Sequence, residues 1–135
     1  MPRLEWPGAV ERDAQWLAAV LARALPAGIT HWPLDSRYWL PTLEDFDKLL
    51  QWDWTDQWEY TVDRFDCENY SIRTMTAFNA LGLNCVGLVL DWSSGHAYNL
   101  VVLEDGSFRW LEPQDDAYVT LGSGLYKLTS GVVLL

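Results

Sequence analysis

Three residues in this 135-residue chain have types and spacing that suit nucleophilic chemistry: Cys67, His96 and Glu112. Cys67 follows Asp66, a good N-cap, so it falls in the first turn of a helix. Unsatisfied backbone N–H groups and the helix dipole favour a thiolate there. A free thiol titrating near 8.5 is only a few per cent ionised at neutral pH, which makes a neighbouring base important. His96, beside Gly95 at the start of a strand, is the candidate base, expected at the sheet edge and exposed enough to exchange protons. Glu112 closes the next strand in Trp110-Leu111-Glu112-Pro113-Gln114, at the same end of the hairpin, where a carboxylate can fix the imidazole tautomer. Gln114 and Asn99 are alternatives for that third place. Gln114, with the backbone N–H of Cys67, is also a candidate oxyanion hole.

The elements that must position these residues divide the chain into a helical half and a strand half. Apolar residues at Val10, Ala14, Leu17, Val20, Leu21 and Leu25 recur at helical spacing over 9–25, and Pro26 and Gly28 stop the run. Residues 29–41 read as an ordered loop, and Thr42 caps a short helix ending near Leu50. Residues 51–65 show no assignable period. The clearest helix covers 67–81 and ends at Gly82. Three strand patterns follow, at 85–92, 96–103 and 107–112, separated by short turn signals, and predict an antiparallel meander. The pair 118–121 and 132–135 extends the sheet. The expected fold is α+β, with N-terminal helices packed on a small antiparallel sheet, in one domain over 1–135.

The second hairpin decides whether the His–Glu pair can form. A two-residue turn at Asp105-Gly106 puts His96 and Glu112 on opposite faces. A three-residue Glu104-Asp105-Gly106 loop, with Gly106 left-handed, pairs Leu103 with Ser107 and Leu100 with Trp110. It brings His96 diagonally to Glu112 and gathers the apolar groups on one face, so this register is predicted.

The run Phe65-Asp66-Cys67-Glu68-Asn69-Tyr70, then Gly95-His96-Ala97-Tyr98-Asn99, then Glu112-Pro113-Gln114 resembles the papain-like or transglutaminase-like cysteine hydrolases. The pattern is closest to small phage and bacterial relatives of the protease domain of a mushroom agglutinin. The resemblance covers roughly 35–115 and leaves the helical segment 1–30 without a counterpart. It implies that Cys67 is the nucleophile, His96 the general base and Glu112 the orienting acid, acting on an amide of a protein or peptide substrate. It also implies an oxyanion donor upstream of the cysteine, where Gln57, Trp58 and Tyr60 stand. Some such families bind calcium through acids near the cysteine, which makes Asp66 and Glu68 candidate metal ligands, with Asp63 and Asp115 or Asp116. Glu68 and Asn69 depart from the two aspartates often found there. The thiol chemistry itself requires no cofactor.

Other features have plainer readings. Cys85 begins a core strand and is expected to be inert, and His31 is expected to be structural or at the surface, with substrate binding as its lesser reading. Two cysteines without zinc-ligand spacing argue against a structural zinc. Trp32, Trp39, Trp52, Trp54 and Trp58 lie outside periodic elements and suit a groove, with Trp39, Trp58 and Tyr60 as the substrate-groove candidates. A net charge of −10 opposes binding to nucleic acid or an anionic membrane surface. The apolar stretch 16–25 is too short to span a bilayer, and with no signal-peptide pattern the expected location is cytoplasmic. Two functions follow: a cysteine hydrolase or acyl-transfer enzyme, or a non-catalytic acidic protein-binding module such as a phage-type inhibitor of a host protein.

Overall fold

The computed structural model describes residues 6–135. The strand-rich stretch folds as the patterning requires: β4 (Val86–Asp91), β5 (His96–Val102) and β6 (Phe108–Glu112) form an antiparallel meander. Asn99 pairs with Leu111, Leu100 with Trp110 and Val102 with Phe108, the predicted register. Leu103 N–H donates to Ser107 O at 2.9 Å and Gly106 N–H to Leu103 O at 3.0 Å. Gly106 takes φ 84°, the left-handed conformation that this loop needs.

The sheet then grows on both sides. β7 (Ala117–Val119) runs antiparallel to β6 at one edge. β8 (Gly131–Leu134) lies antiparallel to β4 on the other side, and β2 (Thr30–Trp32) pairs parallel with β8. The order is β2-β8-β4-β5-β6-β7, a six-stranded mixed sheet, beside a two-stranded pair of β1 (Val10–Asp13) and β3 (Arg37–Leu40). This corrects the expected fold class of N-terminal helices on a small antiparallel sheet with a papain-like or transglutaminase-like core. The sheet is larger and mixed, because a three-residue strand within the supposed loop 29–41 finds its parallel partner about a hundred residues later.

Three helices attend the sheets: α1 (Ala14–Ala24), α2 (Leu43–Trp52) and α3 (Cys67–Ala80). Residues 10–13, placed in the first helix by their spacing, are strand instead. Asp13 keeps an extended backbone and its side chain accepts from Trp16 N at 2.8 Å, so the helix starts at Ala14. Thr42 caps α2 as expected, accepting from Asp45 N at 3.1 Å. Within the unassigned 51–65 lie the end of α2, a 3₁₀ turn (Thr55–Gln57) and a tight loop closed by a Thr61–Phe65 bridge.

The core joins Leu17, Val20 and Leu21 of α1 to Phe46, Phe78 and the sheet residues Val89, Tyr98 and Leu100. Phe46 and Phe78 stack with ring centroids 4.5 Å apart, which locks α2 to α3. Every residue of β5 is buried. Asn99 reaches from β5 to donate to Ser71 O of α3 and Gly87 O of β4, both at 3.0 Å, pinning the helix start over the sheet. That pin sets the site described next.

Candidate functional site

The N-terminus of α3 meets the ends of β4 and β5 at an open cleft of about 420 Å³. Cys67, Glu68, Asp91, Trp92 and His96 are among its walls. The helix start is organised locally: Asn69 Oδ1 accepts from Asp66 N at 3.1 Å, Asp66 accepts from Asp63 N at 2.8 Å, and Ser71 donates to Cys67 O at 2.8 Å. Cys67 is half-buried and its thiol donates to Glu68 Oε2 at 3.4 Å rather than to His96.

His96 is held on the other wall. Its Nε2 lies 2.6 Å from Glu112 Oε2, with both side chains buried. Because a carboxylate accepts, Nε2 carries the hydrogen in the neutral ring and leaves Nδ1 as the proton acceptor. Tyr126 donates to the same Oε2 at 2.8 Å and packs edge-on against the imidazole, while Gln114 N–H donates to Oε1 at 3.2 Å. Glu112 is thus the group that the structure sets against the His96 ring. Asn99 is committed to α3 and β4, and Gln114 serves Glu112 through its backbone. Two expectations need correcting. His96 is 9% exposed on an interior strand, not at the sheet edge, since β4 and β6 flank β5 on both sides. The Cys67 thiol is pushed up, not down: burial dominates, with Glu68 and Asp66 adding to it, and the Ala97 N–H opposes them only in part.

Asp91 anchors the floor of the cleft. It is 1% exposed and accepts from Ser93 Oγ at 2.5 Å, Ser94 N at 3.0 Å, Tyr98 Oη at 3.0 Å and Leu128 N at 2.9 Å. Burial raises its carboxyl, but these donors together hold it below the usual range. Through Leu128 it ties down the irregular segment that carries Tyr126. Neither Asp91 nor Tyr126 was picked out from sequence. Asp91 had a usable signal, an aspartate closing a strand before Ser93-Ser94, a side-chain-capped turn. Tyr126 had none, since 120–130 has no period.

The remaining candidates scatter. Trp39 lines a separate cavity of about 520 Å³ with Trp6, Asp35 and Asn84. Trp58 packs on Phe65 and under the Arg73 guanidinium. Tyr60 stacks on Tyr70, its hydroxyl raised by local burial and the nearby charges of Cys67, Asp66 and Glu68. His31 Nε2 donates to Leu135 O at 3.1 Å, a structural role. Cys85 is fully buried and its thiol strongly raised. Asp116 feels the charges of Asp56, Asp53 and Asp115. Among the described residues, no three His, Cys, Asp or Glu side chains gather as a metal would need, and no helix is long and apolar enough to cross a membrane.

No family profile matches the sequence and no curated protein does. Solved structures do. One, described as the "PSL1a-E64 complex", superposes with a TM-score of 0.73 at 20% identity, covering 93% of this chain and 51% of that one. A second, Polyporus squamosus lectin bound to the human-type influenza-binding epitope Neu5Aca2-6Galb1-4GlcNAc, gives a TM-score of 0.69 at 20% identity, covering 93% and 49%. The chain therefore spans about half the length of these neighbours. The partners named there are a small compound and a glycan, neither a nucleic acid nor a membrane. Neither structure is described as a papain-like or transglutaminase-like hydrolase, so the relation inferred from the three motifs is withdrawn. With it go the cysteine-protease and amide-hydrolase functions it implied. The acidic, phage-type inhibitor reading gains no support either. What the neighbours share with this chain is its fold.

Proposed function

We propose that the chain carries a thiol-centred ligand-binding site, in which Cys67 bonds to an electrophilic carbon of a small ligand seated in the cleft. One observation carries this reading: Cys67 and His96 line the same cleft, and His96 is fixed by Glu112 at 2.6 Å with its other nitrogen left to accept a proton. A thiol raised by burial is a weak nucleophile until a base receives its proton, and an oriented imidazole is suited to do so. In the capture step the S–C bond forms, the bond from that carbon to its leaving oxygen breaks, and the thiol proton moves by way of His96 to the departing oxygen. The neighbour described in complex with E64, an epoxysuccinyl compound whose strained ring thiolates open, supports this chemistry. A reduced Cys67 suits a reducing compartment, and cytoplasmic residence is part of the same proposal.

A second reading is favoured by Trp92, which is 67% exposed at the cleft mouth beside Asp91. An exposed indole next to acceptor groups is a platform for the apolar face of a sugar ring. The net charge of −10 works against an acidic sugar, so this reading takes a neutral glycan. Incubation with E64 followed by intact-mass and peptide mapping separates the two. A single adduct on Cys67 that disappears in His96→Ala supports thiol capture. No adduct, together with saturable quenching of tryptophan fluorescence by a neutral oligosaccharide, lost in Trp92→Ala, replaces it with glycan binding.

A further inference from the structure

The cleft walls differ sharply in how their charges are used. Asp91 is saturated by four donors, and Glu112 is shared among His96, Tyr126 and the Gln114 N–H. Asp66 is buried behind the helix start, engaged by Asp63 N. Glu68 is different. It is exposed, lines the cleft, and its one side-chain hydrogen bond among the described residues is the weak one from the Cys67 thiol at 3.4 Å. Among the described residues, no lysine or arginine lines the cleft to neutralise it. A ligand reaching the sulfur must therefore bring its nearest atoms within a few ångströms of an available carboxylate. At about 4 Å, water-like screening alone leaves roughly thirtyfold between a cationic and an anionic ligand, and physiological salt, with a Debye length of about 8 Å, lowers this to about tenfold.

We propose that Glu68 is the specificity determinant of this cleft and selects ligands that carry a cationic group, an amine or guanidinium, next to the reactive carbon. The inference rests on the thiol-centred reading above. It makes Glu68 a charge filter, while the proton is handled by His96.

Three alkylating agents of different charge test it: 2-bromoethylammonium, iodoacetamide and iodoacetate, each applied to the folded chain in 0.15 M salt, with adducts at Cys67 counted by peptide mass. Rates are divided by those of a small neutral model thiol, which removes the intrinsic reactivity of each agent. The cation-to-anion ratio at Cys67 is expected to exceed that of the model thiol by about tenfold, and Glu68→Gln should cut it at least threefold. Glu44→Gln, an equal change of net charge on exposed α2, should leave the ratio unchanged. Glu68→Ala serves as a second variant should the glutamine chain fold poorly. If the folded chain is labelled but the ratio is the same with and without Glu68, the charge filter is refuted while the thiol site stands. If no agent labels folded Cys67, the thiol-centred reading itself fails.

Discussion

One carboxylate oxygen, Glu112 Oε2, accepts from both His96 Nε2 at 2.6 Å and Tyr126 Oη at 2.8 Å. The tyrosine comes from a segment with no regular structure, so the orientation of the imidazole depends on a loop as well as on the β5–β6 hairpin. Removing the hydroxyl leaves a buried carboxylate one donor short, a change worth about 1–3 kcal/mol. Tyr126→Phe is therefore expected to melt several degrees lower, and Glu112→Gln to slow alkylation of Cys67 at neutral pH by ten- to a hundredfold. Calorimetry and timed labelling check both. Unchanged labelling in Glu112→Gln would show that the imidazole does not assist the thiol.

Brief iodoacetamide treatment of the folded chain should modify Cys67 and spare Cys85. Both thiols are raised by burial, but Cys67 opens onto the cleft and Cys85 is fully enclosed. Labelling at Cys85 first, read by peptide mass, would contradict this order.

Asp91 should prove the most sensitive of the surface-proximal acids. Asp91→Ala strands Tyr98 Oη and the Leu128 N–H and is expected to cost about 3 kcal/mol or more. Its folded carboxyl is held below the unfolded value, so its contribution is present above that value and is lost as pH falls through the folded one. The stability difference between the parent chain and Asp91→Asn should shrink below about pH 4. Denaturant unfolding across pH 2.5–7, centred on the ordinary aspartate range, measures it.

Asp116 carries the opposite sign. Burial first, then Asp56, Asp53 and Asp115, push its carboxyl up to about 7. A raised acid stabilises below its unfolded value and loses that contribution as pH rises through the folded one, so the chain should lose stability between about pH 4 and 7. Asp116 also has a left-handed φ of 56°, which asparagine tolerates. Asp116→Asn should therefore flatten this part of the profile and raise the melting temperature at pH 8 by about 3–8 °C. An unchanged slope would remove Asp116 from the pH response.

What the sequence made legible was local. Gly106 and the three-residue loop gave the register of the β5–β6 hairpin, and that register alone brought His96 to Glu112. Asp66, Thr42 and Gly82 marked helix ends that the structure keeps to within a few residues. What escaped was non-local. Val10 fitted a helical stripe, yet 10–13 pairs with β3, because Asp13 starts the helix and the strand before it meets 37–40 from elsewhere in the chain. The parallel β2–β8 pair rests on three residues with no alternating pattern to announce them. The thiol environment was misread in part for the same reason: the helix start was visible, but the burial that outweighs it depends on how α3 lies on β5, while the Glu68 contact comes from the next residue in the helix.

The placement of β8 governs how the molecule can be made. Residues 131–134 sit between β2 and β4, so the sheet stays split until almost the last residues described have been synthesised. A chain emerging from the ribosome can close the meander and even join His96 to Glu112, while β4 still presents an open edge and β2 has nothing to pair with. During that interval the open edge is a template for another nascent chain. Gly131 seals it, since a side chain there would meet the Leu90 carbonyl at 2.3 Å. Substitution at this position should therefore show its effect in the yield of soluble protein during synthesis, in addition to any loss of stability in the finished fold.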